Sequence, residues 1–369
     1  MSTTSAPIPV TGAMPAAVTR DVAVIAVSQT KAFKQYPEAE PTLIMDCVND
    51  LLTKTGMQRG DLEFTIAGSC DYLSGMPFAF VMNIDGVGAW PPVYESHVEM
   101  DGAWAMWEAW LRLQLGDIDT ALVIGSGKSS PGRPREVFAL QADPYVLAPL
   151  GFDPDSLAGI QARALIDAGK ATERDFAEIV SRHLRAGQAN PYALISGAPD
   201  VDDLLAAPYF LAPLREHDLP AVADGAAALI MVAGDKAREL TEHPVWIRGM
   251  DHRIESHHPG LRDLTVSPST ALAAQAVGLH DGPIDVAELM TLHSHEELIL
   301  KEALGLGPDT VVNPSGSPLT GHPVMATGLV RVIEVAKRIA AGEARRGVAH
   351  ATSGAALQQN LLCVLEGDN

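Results

Sequence analysis

Two histidine-bearing segments in the last third of the chain have the residue types of an acid–base site. His322 stands in residues 313–328 (NPSGSPLTGHPVMATG), which are rich in glycine, serine and proline. A loop of this kind that enters a helix offers free backbone N–H groups, so it can hold an imidazole beside an anionic intermediate. The alternative is a histidine whose hydrogen bonds are satisfied within its own loop.

His293 and His295 belong to the second segment, residues 292–297 (LHSHEE). They follow a strand-like run at residues 286–292, and side chains at alternate strand positions point to the same side. We therefore expect the two histidines to share a site as acid and base or as oxyanion donors. A metal site with the following glutamates is the alternative. Three ligands so close in sequence lack an assured fourth, so we expect no metal.

An internal repeat connects this region with the first half of the chain. Three features recur 226 positions later: Gly102 as Gly328, Gly116-Asp117 as Gly342-Glu343, and the strand-like residues 121–127 as 347–353. We interpret the repeat as the duplication of one unit that contains a helix, a turn of glycine and an acidic residue, and a strand.

The loop before the first repeated helix carries His97, Glu99 and Asp101. Because equivalent loops of two duplicated halves should face one another, we expect these side chains near His322. Burial there would raise the pKa of the two carboxyl groups and suit them to act as general bases. The alternative is that Glu99 and Asp101 only cap the helix that follows.

The surrounding elements alternate between strand and helix, which predicts a layered α/β fold. Apolar patterns indicate strands at 21–27, 63–67, 120–125 and 226–232, and helices at 42–55 and 101–115. Between the halves, residues 128–213 are rich in proline and show one clear helix at 173–188, for which Thr172 is the expected N-cap. We predict an inserted loop domain in this stretch.

Composition narrows the classes of partner. The 369 residues carry a net charge of −20, which disfavours nucleic acid and anionic membrane surfaces. Three widely spaced cysteines form neither a disulfide framework nor a zinc signature, so we expect a cytoplasmic protein. We also expect no membrane span, because no apolar run reaches about 18 residues. Residues 1–18, rich in Ser, Thr, Ala and Pro, predict a disordered tail.

Together these residues resemble the thiolase superfamily, in particular the sterol-carrier-protein-type thiolases and the actinobacterial lipid-transfer-protein relatives. The resemblance covers about residues 20–365 and rests on NPSG at 313–316, GHP at 321–323 with Gly328, DGAAA at 224–228, NPY at 190–192 and LH at 292–293. It implies two βαβαβαββ halves in a five-layer α-β-α-β-α core, a homodimer and acyl-CoA substrates. The expected division is a tail at 1–18, a first half at 19–240 that includes the loop domain at about 128–215, and a second half at 241–369.

The chain departs from this resemblance where thiolases carry catalytic cysteines. The nucleophilic cysteine would stand at Glu99, and the second cysteine would fall within residues 351–354, which read ATSG. A carboxylate is a poor substitute for a thiolate in acyl transfer, so we expect no ordinary acetyl-CoA acetyltransferase activity.

In the family, the positions of His322 and His293 help to build the oxyanion hole for a thioester enolate. Enolate stabilisation without an acyl nucleophile suits retro-aldol cleavage of a β-hydroxyacyl-CoA, a lyase reaction of lipid or sterol side-chain degradation. The expected bases are, in order, Glu99, Asp101, His295 and Tyr72. Some relatives of this kind pair with a small OB-fold protein, and coenzyme A enters only as part of the substrate. The alternative is a non-catalytic acyl-CoA- or lipid-binding subunit, or a scaffold for such a partner.

Overall fold

The computed structural model describes residues 20–75, 77–234 and 236–368. The tail predicted at residues 1–18 lies outside the described residues, and the predicted division of the chain stays a prediction. Strands of the described part are β1 (Val22–Gln29), β2 (Phe64–Gly68), β3 (Glu95–Val98), β4 (Thr120–Gly127), β5 (Tyr209–Leu211), β6 (Leu214–Arg215), β7 (Val222–Ala223), β8 (Gly225–Ala233), β9 (Val245–Ile254), β10 (Val286–Leu289), β11 (Val311–Val312), β12 (His322–Pro323), β13 (Arg346–Ser353) and β14 (Gln359–Gly367).

Helices of the described part connect and cover these strands. They are α1 (Glu40–Thr55), α2 (Asp71–Ser74), α3 (Phe80–Val87), α4 (Gly102–Leu115), α5 (Pro134–Ala139), α6 (Pro154–Asp167), α7 (Glu173–Gly187), α8 (Val201–Ala206), α9 (Lys236–Leu240), α10 (Pro268–Ala276), α11 (Glu296–Leu304) and α12 (Thr327–Ala340). Among the described residues, no helix combines the length and the apolar character needed to cross a membrane.

A ten-stranded sheet shows the duplication directly. Its order, β11-β10-β13-β14-β9-β1-β8-β4-β2-β3, places corresponding strands at equal distances from the centre. In each half the outer three strands are parallel to one another, and the inner two are antiparallel. The halves meet where β1 pairs with β9. Strands β4 and β13 differ by 226 positions at both ends, so the predicted repeat is confirmed.

Five layers follow from the way apolar faces are buried. The helices α4 and α12 lie between the two halves of the sheet, and Met106 and Ile333 belong to one buried apolar cluster that includes strand residues of both halves. On the outer face of the first half lies α1, through residues such as Leu43. The outer face of the second half is covered by α10 and α11, through residues such as Ala273 and Leu300. This arrangement confirms the predicted α-β-α-β-α core.

The proline-rich stretch between β4 and β8 is more helical than the sequence suggested. The predicted helix is present as α7, with Thr172 as N-cap in a capping box with Asp175. Helices α5, α6 and α8 were not predicted. Two of them begin at Pro134 and Pro154, and proline in the first helical turn loses no hydrogen bond, so these prolines start helices rather than interrupt them.

One predicted strand is too long in a way that affects the site. The run at residues 286–292 is a strand only as far as Leu289. Beyond it, a carboxylate oxygen of Glu296 accepts hydrogen bonds from the backbone N–H groups of Leu292 and His293, which bends the chain into the turn before α11. His293 and His295 therefore stand on a turn and not on a strand end.

Candidate active site

A cavity of about 280 Å³ lies where the segments that precede α4 and α12 meet. Its wall includes Glu99, Asp101, His293 and His322, so the structure brings four of the five expected catalytic residues together. Residues 352–354, at the end of β13, lie on the same wall. The apolar part of the wall comes largely from the inserted segment and from the loops around α11 and α12: Phe138, Leu147, Phe152, Leu157, Met290, Leu292 and Val324.

The hydrogen bonds of His322 determine its tautomer. Its Nδ1 lies 2.8 Å from Oγ1 of Thr327, the first residue of α12. The Thr327 hydroxyl donates its only proton to the carbonyl oxygen of Pro323, at 2.8 Å, so Oγ1 must accept from Nδ1–H. Nε2 therefore carries the lone pair, and no partner for it is recorded in the described part of the chain. Burial, together with the charges of His293 and Arg331, lowers the pKa of His322 to about 3, so the ring is neutral.

Two carboxylates surround the ring of His293. Nε2 lies 3.1 Å from Oδ1 of Asp155, and Nδ1 lies 3.2 Å from Oε1 of Glu296. Burial by itself lowers the pKa of His293, but the hydrogen bonds to Asp155 and Glu296 outweigh it and raise the pKa to about 9. His293 thus places a positive charge on the cavity wall, and both of its N–H groups are already engaged.

The raised pKa of His293 predicts a loss of stability in mild alkali. The pKa is 6.5 for an ordinary histidine and about 9 here, so the stabilisation is complete below pH 6.5 and is lost as the pH rises through 9. This difference corresponds to about 3 kcal/mol of the free energy of unfolding. Denaturant unfolding at pH 6 and pH 10 measures it. The protein should lose about 3 kcal/mol more than the His293→Gln variant, and an equal loss in both would contradict the pairing.

Glu99 is exposed on the cavity wall. Its Oε1 accepts a hydrogen bond of 2.6 Å from the backbone N–H of Asp71, at the start of α2. Glu99 therefore caps α2. The alternative expected from the sequence was that it caps α4. The Glu99 carboxylate also lies beside the thiol of Cys70, which shares the cavity wall.

Asp101 is a buried cap of two helices at once. Its Oδ1 accepts from the backbone N–H of Ala103 at 2.9 Å and of Leu329 at 3.1 Å, and its Oδ2 accepts from Gly328 at 2.8 Å. Burial raises the pKa of Asp101 even against these three donors. Glycine is required at position 328, because a Cβ there would lie 2.5 Å from Oδ1 of Asp101. Both oxygens are committed to backbone donors, which favours the capping interpretation over the general-base one for this residue.

Three residues expected at the site lie elsewhere. His295 is buried beside Phe176, and its Nε2 lies 3.0 Å from Oε1 of Gln161. Its ring centroid lies 5.9 Å from that of His293, but His295 does not line the cavity. His97 stacks on the ring of Phe80, with ring centroids 3.5 Å apart. Tyr72 is 69% exposed and lines no part of the cavity.

Other lining residues were missed by the sequence analysis. Cys70 follows β2 and lies on the wall beside Glu99, and burial raises the pKa of its thiol. His257 also lines the cavity, and its Nε2 accepts a hydrogen bond from the backbone N–H of Asp143. Asp155 follows Pro154 at a helix start that the sequence did not reveal. In the part of the chain that the structure describes, no cluster of three His, Cys, Asp or Glu side chains is arranged to hold a metal ion.

The fold matches solved structures over nearly the whole chain. Human mitochondrial 3-ketoacyl-CoA thiolase superposes with a TM-score of 0.75 at 14% identity, and the match covers 95% of this chain and 99% of that one. The chain has the thiolase fold. A structure described as an "Ltp2-ChsH2(DUF35) aldolase" shares this thiolase fold with a TM-score of 0.77 at 18% identity, over 95% of this chain and 98% of that one.

Sequence similarity agrees with the thiolase fold. Acetyl-CoA acetyltransferase of Methanothermobacter thermautotrophicus is 27% identical, over 91% of this chain and 95% of that protein. Sterol carrier protein 2 of Bos taurus is 24% identical over 70% of this chain, and the match spans 54% of that protein. No protein-family model matches the chain. The two relatives and the fold support the resemblance to the thiolase superfamily.

Proposed function

We propose that this protein cleaves a carbon–carbon bond of a β-hydroxyacyl-CoA thioester by a retro-aldol reaction, in lipid or sterol side-chain degradation. The observation that carries the proposal is His322, whose neutral ring has a lone pair on Nε2 at the cavity wall. This atom is unprotonated at all pH values well above 3, and a proton that it takes up is held weakly, so it is readily returned to Cα. The thiolase fold and the relatives that are named for acyl-CoA substrates support acyl-CoA thioesters as the substrate class.

The reaction balances without a cofactor. A base takes the proton of the β-hydroxyl group, and the O–H electrons form the carbonyl group of the released aldehyde or ketone. The Cα–Cβ bond breaks, and its electrons pass into the thioester as an enolate. A proton delivered to Cα then gives the shortened acyl-CoA.

Two groups on the cavity wall are candidates for the proton acceptor, Nε2 of His322 and the carboxylate of Glu99. We assign the hydroxyl proton to one of them and its return to Cα to the same group. The fixed positive charge of His293 stabilises the enolate oxygen electrostatically, because a charge on a partly dry wall acts more strongly than it does in water.

The raised pKa of the cysteine on the cavity wall favours the retro-aldol reaction over acyl transfer. Cys70 is buried, and both burial and the neighbouring carboxylate of Glu99 raise the pKa of its thiol. Acyl transfer needs a thiolate. Glu99 and residues 352–354 stand on the wall where the resemblance would place the thiolase cysteines. We therefore propose that the protein has no acyl-cysteine intermediate.

We further propose a homodimer and a small OB-fold partner. Strand β3 ends the sheet at one edge, next to the exposed side chains of Trp90 and Tyr94, so a second copy can cover it. The aldolase with the same fold is described by two component names, Ltp2 and ChsH2, which supports a heteromeric assembly here.

Product analysis by mass spectrometry tests the reaction. The protein, alone and with a co-purified partner, is incubated with β-hydroxyacyl-CoA and β-ketoacyl-CoA esters without added free coenzyme A. Shortening of the hydroxy esters supports the aldol route, since thiolysis requires free coenzyme A. Cleavage of keto esters only after free coenzyme A is added would overturn it, as would the absence of cleavage with the partner present.

A non-catalytic acyl-CoA-binding subunit is the second candidate. It is favoured by the fact that both nitrogens of His293 and both oxygens of Asp101 already have protein partners. Calorimetric binding of acyl-CoA esters that undergo no turnover in any combination with the partner would support this function.

A further inference from the structure

The inserted segment contributes a carboxylate that touches a side chain of the cavity wall. Asp155 lies in the first turn of α6, and its Oδ1 is 3.1 Å from Nε2 of His293, although the two residues are 138 positions apart. We propose that Asp155 is a positioning residue of the active site, which fixes the ring of His293 and keeps it doubly protonated. This inference rests on the proposed function, in which His293 supplies the positive charge.

Proton counting supports the assignment. A neutral imidazole has one N–H group, so it cannot donate to carboxylates at both nitrogens, whereas an imidazolium can. Glu296 is three residues from His293 and is held by two backbone N–H groups, so it belongs to the turn itself. Asp155, by contrast, reaches His293 only because α6 packs against this turn. Without Asp155, a neutral ring with one N–H group would be enough to donate to Glu296.

The other titratable groups around His293 do not replace Asp155. His322 and His295 face it from the segment before α12 and from its own turn, and burial lowers the pKa of both, so they carry no charge. From α5, the Arg135 guanidinium lies 3.4 Å from Oδ2 of Asp155, so this carboxylate is shared between Arg135 and His293.

The chain offers a matched control for Asp155. Asp153 lies two positions earlier, is 2.7 Å from the same Arg135 and caps α6 through the backbone N–H of Ser156. It has no recorded contact with His293 within the described residues. Asp153→Asn thus removes a neighbouring charge from the same network and leaves the carboxylate on His293.

The experiment is an NMR titration of isotope-labelled histidines in the full chain. In the unchanged protein, His293 should titrate near pH 9. Asp155→Asn should lower this midpoint by about one pH unit or more, and Asp153→Asn by only about a few tenths. A folded Asp155→Asn protein with an unchanged midpoint, or an equal shift in both variants, would overturn the inference.

A second variant keeps the test decisive if Asp155→Asn does not fold. Arg135→Gln removes the cation that competes for Asp155 and should raise the His293 midpoint, whereas an unchanged or lower midpoint would contradict the link. Turnover gives the functional readout. With Asp155→Asn, the pH profile should gain a limb between about pH 6 and 9 as His293 loses its charge. The NMR result does not depend on turnover, so it separates failure of this inference from failure of the proposed reaction.

Discussion

Replacement of His322 by alanine should lower kcat for a β-hydroxyacyl-CoA by about 10²–10⁴-fold, the usual contribution of a positioned acid–base group. The reason is the lone pair on Nε2, which Thr327 holds available by fixing Nδ1–H. Initial rates and product masses measure the effect on kcat and KM separately. We expect KM to change less, because His322 forms only a small part of the cavity wall.

Two further variants sharpen the His322 test. His243→Ala, at an exposed position before β9, is the matched histidine control and should keep full turnover and the same melting temperature. Glu99→Gln tests the other proton acceptor. A His322→Ala protein that is folded and within about threefold of the original rate would exclude His322 as the acceptor. A large loss with Glu99→Gln would then assign the base to Glu99.

Asp101→Ala should lower the free energy of unfolding by about 2–4 kcal/mol, because three buried backbone N–H groups lose their acceptor. Two of these groups belong to the start of α12 and one to α4, so the substitution weakens both central helices and the contact between them. Denaturant unfolding with the same probe and slope measures the loss.

A single-helix cap is the comparison for Asp101. Asp200 caps the short helix α8 through one hydrogen bond, from the backbone N–H of Asp202. Asp200→Ala should cost about 0.5–1 kcal/mol. Equal losses in the two variants would show that the bridge between the central helices contributes nothing beyond an ordinary cap.

The sequence predicted the duplicated core well because the repeat is carried by local patterns. Apolar spacing defines each strand and helix, and the glycines at 102 and 328 mark the point where the two central helices begin close together. A Cβ at Gly102 would lie 2.9 Å from Cα of Gly125 on β4 and 3.1 Å from Cδ2 of Leu329 on α12, so glycine is the residue that permits this close packing. Such steric constraints can be read from residue type. The repeat that they mark also predicted that Glu99, Asp101 and His322 lie close together.

The inserted segment was harder to predict because its prolines stand at the starts of helices. In the sequence alone, the same prolines resemble interruptions of helical structure. Pro154 begins α6, and that helix then brings Asp155 to His293. His295 illustrates the opposite error, because a strand period was applied to residues that form a turn.

By itself, the sequence determined the α/β repeat, the layered fold and the two loops whose histidine and carboxylates meet at the cavity. Only the tertiary structure decided that His293 lies between Asp155 and Glu296, that Cys70 and His257 join the wall, and that His295 and His97 do not. The physical reason is that local periodicity fixes which residues form an element, whereas charge state and contact depend on which distant elements pack against it.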